Sequence, residues 1–96
     1  MKILAMEVEV PGVTGEQFRL HLESEAARVW ELYRAGVIRE LYFNQDRHTA
    51  VLVLECAGPD AARQVLSSLP LVQAGLISFE VISLVAYDGF ARLFAK

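Results

Sequence analysis

The pattern of apolar and polar positions changes period near residue 11. Residues 2–10 alternate, which predicts a strand whose two faces meet different environments. One face carries Leu4, Met6, Val8 and Val10, and the other carries Ile3, Ala5, Glu7 and Glu9. Between Thr14 and Gly36 the spacing becomes helical, with one apolar stripe. That stripe consists of Phe18, Leu22, Ala26, Val29, Leu32 and Tyr33.

Both ends of this first helix carry local signals. Thr14 and Gln17 have the spacing of a capping box, and Val13 and Phe18 occupy the flanking apolar positions that fix the entry of the chain. Gly36 supplies the residue that ends the helix. The sequence therefore predicts one long helix from Thr14 to Gly36.

The rest of the chain alternates between strand and helix patterns. Val37–Phe43 and Ala50–Cys56 are strand-like, and the polar residues 44–48 between them have the length of a hairpin loop. A second helix is predicted to open at Pro59 and to stop at Pro70. A fourth strand follows at 77–86, and the tail 87–96 has apolar residues at helical spacing.

The predicted order is strand, helix, strand, strand, helix, strand. With right-handed crossovers it closes into a four-stranded antiparallel sheet with two helices on one face, a ferredoxin-like α+β subunit comprising residues 1–96 as one domain. The apolar fraction of 54% is high for a chain of 96 residues. We therefore expect the uncovered sheet face to pair with a second copy in a dimeric α+β barrel, with the tail 87–96 packing on the partner.

Composition excludes several classes of function. The net charge is −3 and the nine Lys and Arg residues are scattered, which argues against binding to nucleic acid or to an anionic membrane. Cys56 is the single cysteine, and no Cys/His spacing suggests zinc. The N-terminal pattern lacks a signal peptide's apolar region, and no stretch is long enough to span a membrane. We expect a cytoplasmic protein without metal or cofactor.

The most informative residue is Glu25, a carboxylate within the apolar stripe of the first helix. An apolar environment raises the pKa of a carboxyl group, which suits a base that removes and returns a proton next to a carbonyl. The alternative is a structural role in which Glu25 pairs with Arg39, Arg47 or a backbone group, because buried charges are usually paired.

Other candidates surround this carboxylate. His48, at the end of the hairpin, is a candidate acid at the mouth of a helix–sheet cleft, with an exposed loop histidine as the alternative. His21 lies one turn before Glu25 and either donates to that carboxylate or lies at the rim of the stripe. Arg39 is a candidate for binding a ligand carboxylate. Tyr33 and Tyr42 are candidates to line the pocket, each with core packing as the alternative.

Two further groups are assigned to contacts between subunits. Trp30 lies away from the centre of the stripe, and we expect it at a dimer or tail contact. Glu7 and Glu9 share one strand face, and two carboxylates at this spacing could serve acid–base chemistry or bind a hard metal, but no third ligand has diagnostic spacing. They are interpreted as polar groups of a dimer interface that meet Arg or Lys of the partner.

From Leu32 to Leu84 the sequence resembles the muconolactone isomerase family. The matching residues are Arg34-Ala35-Gly36, Arg39, Leu41, Tyr42, His48, Ala50, Ala62, Leu69-Pro70-Leu71, Glu80-Val81 and Leu84. The resemblance implies a homodimeric or larger α+β barrel of ferredoxin-like subunits, and it implies an acidic family counterpart for Glu25.

Three functions follow as hypotheses. The first is an enzyme that isomerises a small, anionic organic compound, or transfers a proton within it, with Glu25 and His48 as catalytic residues. Arg39, Tyr33, Tyr42 and His21 would then bind the substrate. The second is a non-catalytic ligand-binding or assembly module. The third is a cofactor-free monooxygenase of aromatic substrates that uses Tyr, Trp and His.

Overall fold

A computed structural model describes residues 1–95 and contains the predicted order of strands and helices. The elements are β1 (Lys2–Glu9), α1 (Gly15–Arg19), α2 (Leu22–Arg34), β2 (Ile38–Phe43), β3 (Ala50–Glu55), α3 (Pro59–Ser67), α4 (Pro70–Gln73), β4 (Ile77–Ser83) and a 3-10 helix (Gly89–Leu93). The strands form one antiparallel sheet in the order β2-β3-β1-β4. The predicted ferredoxin-like α+β architecture is confirmed.

The first helix is two helices, so the prediction of one continuous helix is wrong. The capping box is present, because the Thr14 hydroxyl accepts from the Gln17 amide and the Gln17 side chain accepts from the Thr14 amide. The chain then breaks after α1, where the His21 amide donates to Phe18 O three residues back. His21 precedes α2, and no Pro or Gly marks this break in the sequence.

Pro70 begins a helix instead of merely ending one. Leu69 is extended, and Pro70 takes the first position of α4, where its missing amide costs nothing and its fixed φ suits a helix. Two predicted strands also end earlier than expected. β3 ends at Glu55, with Cys56 just beyond it, and β4 ends at Ser83.

The helices cover the face of the sheet that carries Ile3 and Ala5, both fully buried. These β1 residues pair across to Leu54 and Leu52 of β3, which are also buried. The core between sheet and helices further contains Leu32, Ile38, Ala62, Leu66 and Leu69. Burial of this apolar surface is the main favourable contribution to folding.

The opposite side, here called the open sheet face, is apolar and only partly covered. By the strand register it carries Leu4, Met6, Val8, Val51, Val53 and Ile82. Polar residues also lie on this face, because Glu40 and Tyr42 of β2 pair with Val53 and Val51, and Glu80 of β4 pairs with Met6. Within residues 1–95 no element packs over it, since the helices lie on the other side.

The segment after β4 is exposed at nearly every described position. Tyr87 and Phe90 pack edge to face with ring centres 5.0 Å apart, and Gly89 lies directly against the Tyr87 ring. Large apolar side chains nonetheless face solvent here, with Val85 88% and Phe94 79% exposed. The tail thus has local structure of its own but little contact with the body. Lys96 lies outside the described residues.

We predict that Leu54→Ala lowers the free energy of unfolding by about 2–5 kcal/mol, because it removes a fully buried side chain of a central strand and leaves a cavity. Leu20→Ala is the matched control, since Leu20 is 85% exposed. The control should change the same quantity by less than about 0.5 kcal/mol. Urea unfolding at one fixed protein concentration measures both, and equal effects would contradict this assignment of the core.

Candidate active site

A cavity of about 580 Å³ opens between α1, α2 and the sheet. It begins where the helix-facing side of β1 changes from Ile3 and Ala5 to Glu7 and Glu9. The apolar wall consists of Phe18, Leu22, Ala26, Val29, Leu41, Phe43, Ala50, Leu52, Leu69, Leu71 and Phe79. The volume is ample for a small ring compound, because one water molecule occupies about 30 Å³ in the liquid.

Glu25 projects from α2 into this cavity and is only partly exposed. Its Oε1 accepts a hydrogen bond of 2.9 Å from the Leu71 amide, at the start of α4. Burial raises the pKa of Glu25 above its ordinary value, against the lowering effect of the Leu71 hydrogen bond. The negative charge of Glu7 raises this pKa further, and nearby His21 lowers it.

Glu7 is the second cavity carboxylate, and its predicted place in a dimer interface is wrong. The helices cover the face of β1 that it shares with Ile3 and Ala5, so its side chain points toward α2. Glu7 Oε1 accepts a 2.9 Å hydrogen bond from the Ala50 amide of β3. Burial raises the pKa of Glu7, the Ala50 bond lowers it, Glu9 raises it and His48 lowers it.

Glu7 and Glu25 form an acidic pair without a basic partner. Among residues 1–95, each has one oxygen held by a backbone amide, and its Oε2 forms no hydrogen bond within the chain. The described ion pairs lie elsewhere, between Met1 and Glu55, Arg19 and Glu16, Arg28 and Glu31, and Arg63 and Asp60. The two free oxygens are available to a ligand.

His48 lies in the wall of the cavity and is exposed. Its ring stacks on Phe43 with centres 4.0 Å apart and planes inclined by 18°. The backbone at His48 has φ 56°, a left-handed conformation that is uncommon outside glycine. The hairpin turn thus presents an imidazole to the same cavity as Glu7.

His21 and Tyr42 lie at the margins of this arrangement. His21 does not line the cavity, but its charge acts on Glu25, and its carbonyl accepts from the Glu25 amide at 2.8 Å. Tyr42 borders the cavity, while its hydroxyl donates to Glu40 Oε1 at 2.8 Å. That hydrogen bond raises the pKa of Tyr42.

Two predicted substrate-binding residues lie outside the cavity. Arg39 is exposed at an irregularity of β2, and its Nε donates to Gly36 O at the end of the preceding helix. Arg39 therefore forms no ion pair with Glu25. Tyr33 is 46% exposed and stacks on Trp30 at 6.0 Å on the outer side of α2. The structure does not bring these residues to the site.

Within residues 1–95 the structure has neither a cluster of metal-ligating side chains nor a helix that could span a membrane. No group of three or more His, Cys, Asp or Glu side chains has the geometry to hold a metal ion. None of the described helices has both the length and the apolar character needed to cross a bilayer. Cys56 is a free, partly buried thiol packed against the core.

Fold and cavity together define a ferredoxin-like α+β protein with an acidic pocket between helix and sheet. The model of the muconolactone delta-isomerase family matches residues 3–89. The chain therefore belongs to the muconolactone delta-isomerase family, as its sequence features suggested.

Two solved structures have the same fold at low sequence identity. Muconolactone isomerase superposes with a TM-score of 0.75 and 19% identity, over 92% of this chain and 92% of that chain. A 5-chloro-2-hydroxyhydroquinone dehydrochlorinase from Burkholderia phenoliruptrix, solved with 2,5-dihydroxybenzoquinone, superposes with a TM-score of 0.66 and 17% identity. This match covers 93% of this chain and 98% of that chain. A comparison with curated proteins gives no match.

We predict that Glu7→Gln lowers the pKa of Glu25, because it removes a negative charge that disfavours the ionised form of Glu25. In the parent protein both carboxyl groups should titrate above 4.5, the value of an unperturbed Glu. Carbon-detected NMR titration of the side-chain carboxyl groups measures these values. Glu23→Gln, on the exposed side of α2, is the control and should leave the pKa of Glu25 unchanged. If Glu7→Gln and Glu23→Gln changed the pKa of Glu25 equally, the proposed interaction between Glu7 and Glu25 would be ruled out.

Proposed function

We propose that this protein is a cofactor-independent enzyme that moves a proton within a small cyclic compound, as an isomerase of the muconolactone isomerase type does. The observation that carries the proposal is the acidic pair, two carboxyl groups of raised pKa in one apolar-walled cavity without a basic partner among residues 1–95. Perturbed carboxyl groups in a cavity are typical of acid–base catalysis.

Glu25 is the proposed base. Its free Oε2 takes the proton from the carbon next to a lactone carbonyl, and the electron pair left behind forms an enolate. The same carboxyl group then returns the proton to a carbon further along the conjugated system, so the double bond moves and the enzyme is regenerated. This cycle needs no external reactant.

Glu7 is the proposed partner of this base. Its negative charge disfavours the ionised form of Glu25 and so makes that carboxylate a stronger acceptor of a proton. His48, stacked on Phe43, is the proposed donor to the developing enolate oxygen, where a donor stabilises the transition state, or a group that orients the substrate.

One observation favours a different function. The hydrogen bond from the Leu71 amide to Glu25 gives the carboxylate a structural task, because it satisfies a backbone donor at the start of α4. On that basis the protein would be a non-catalytic ligand-binding module. The monooxygenase hypothesis has less support, since Trp30 and Tyr33 lie outside the cavity.

We further propose that the protein acts in the cytoplasm as a homodimer or larger oligomer through its open sheet face. An uncovered apolar sheet face is typical of an interaction surface, and pairing two such faces produces a closed α+β barrel. The exposed tail, with its aromatic pair Tyr87 and Phe90, is proposed to pack on the partner subunit.

We predict that Glu25→Gln lowers kcat about 10²–10⁴-fold on a β,γ-unsaturated γ-lactone, the loss expected for a general base. The amide oxygen of Gln can still accept from Leu71, so folding should be preserved. In the parent enzyme kcat/KM should rise with pH through the raised pKa of Glu25, because only the ionised carboxylate accepts a proton. Ultraviolet absorbance of the conjugated product, in a panel of lactones, measures the rate.

Glu23→Gln is the control for this experiment, since it makes the same change on the exposed side of α2 and should retain full activity. Unchanged turnover by a folded Glu25→Gln protein would remove Glu25 from the mechanism and support the binding module.

We predict that Leu4→Lys converts the oligomer to monomer, because it places a charge between Val53 and Ile82 in the open sheet face. Sedimentation velocity at micromolar concentration measures the state. Gln64→Lys, on the exposed surface of α3, adds the same charge and should leave the oligomer intact. A parent protein that sediments as a monomer would contradict the proposed pairing.

A further inference from the structure

We infer that the cavity selects an uncharged cyclic ligand that donates hydrogen bonds, and that it binds a ligand carboxylate only together with a proton. This inference names the substrate class of the site and rests on the proposed function only in taking this cavity as the binding site. It replaces the anionic substrate expected from the sequence, which depended on Arg39.

The charged side chains of the cavity wall are acidic. The lining includes Glu7, Glu9 and Glu25, and none of the Lys and Arg residues within 1–95 is part of it. Arg39, the expected binder of an anion, instead donates to Gly36 O. Among the described residues of the wall, His48 is the only basic side chain.

Backbone hydrogen bonds fix how the two carboxylates are oriented. Each member of the acidic pair already accepts one backbone amide through Oε1, from Ala50 to Glu7 and from Leu71 to Glu25. The remaining oxygens can only accept hydrogen bonds while ionised. Hydroxyl or amide groups of a ligand complement them, whereas a ligand carboxylate offers a third acceptor and a further negative charge.

The apolar wall adds to this selection. Phe18, Val29 and Phe79 form an apolar side of the cavity and provide a surface for a ring. Because apolar groups line the cavity, like charges in it repel more strongly than they would in bulk solvent. Uptake of a proton by a cavity carboxylate therefore makes the binding of an anionic ligand more favourable. The affinity for such a ligand then depends on pH.

The groups that set this coupling are those facing the acidic pair. Glu25 faces Glu7 of β1, His21 ahead of α2 and the Leu71 amide of α4. Glu7 faces Glu9 on its own strand, His48 of the hairpin and the Ala50 amide of β3. His21 lowers the pKa of Glu25 and His48 lowers that of Glu7, and in both cases the effect is the smallest of the causes.

The test uses two probes of the same shape that have no ring double bond to move, (5-oxotetrahydrofuran-2-yl)acetate and its carboxamide. Isothermal titration of the full-length parent protein at pH 6, 7 and 8 gives both affinities. At pH 8 the carboxamide should bind at least about tenfold more tightly. The affinity of the acetate should rise by up to about tenfold per pH unit as the pH falls, the limit for uptake of one proton. Titration in buffers of different ionisation enthalpy measures that proton directly.

Glu7→Gln tests the origin of the preference, because it removes one charge and preserves an acceptor for the Ala50 amide. The variant should bind the acetate more tightly at pH 8 and reduce the preference for the carboxamide several-fold. Glu23→Gln is the matched control and should behave as the parent protein. Since these are binding measurements, they stay independent of turnover. If the protein showed no isomerase activity but still preferred the carboxamide, only the proposed isomerase function would be refuted.

Other results would overturn the inference. Binding of the acetate at pH 8 as tight as that of the carboxamide, without proton uptake, would show that the site holds a cation for the ligand. If that affinity disappeared in Arg92→Ala, the cation would come from the tail of a neighbouring copy. A folded protein that binds neither probe at millimolar concentration would also count against this ligand class.

Discussion

Two glutamates held in one apolar-walled cavity are the constraint on which the rest of the site depends. Removing a carboxylate from water is costly unless it is paired or hydrogen-bonded. Glu7 and Glu25 have no basic partner among residues 1–95, and each is instead held by one backbone amide. These hydrogen bonds satisfy one oxygen of each carboxylate and leave the other without a partner in the described chain. Burial nevertheless raises both pKa values, because it outweighs the lowering effect of the amides.

β1 and α2 contribute both to the hydrophobic core and to the cavity. On the helix-facing side of β1, Ile3 and Ala5 belong to the core, and Glu7 follows two residues later in the cavity. Along α2, Leu32 is buried in the core while Glu25 lies nearer the start of the helix, where the layers separate. The carboxylates are therefore carried on rigid elements, and one end of the helix–sheet interface is left open for a ligand.

Local signals predicted much of this fold because each acts within a few residues. The capping box at Thr14 and the hairpin between β2 and β3 were predicted from adjacent residues and are present. The break before His21 was not predicted, since no Pro or Gly marks it. Pro70 was interpreted as a stop, although proline is equally suited to begin a helix, and only the following residues decide between the two.

Alternation along β1 established that Glu7 shares a face with Ile3 and Ala5, and helical spacing identified Glu25 as an isolated carboxylate in an apolar stripe. Which face of β1 the helices cover was decided only by the packing of the whole chain, and it moved Glu7 from a supposed interface into the cavity. Packing also gave Glu25 a partner 46 residues away, the Leu71 amide, in place of Arg39. A periodic pattern shows which side chains point the same way, but their neighbours depend on contacts between distant segments, which no local pattern contains.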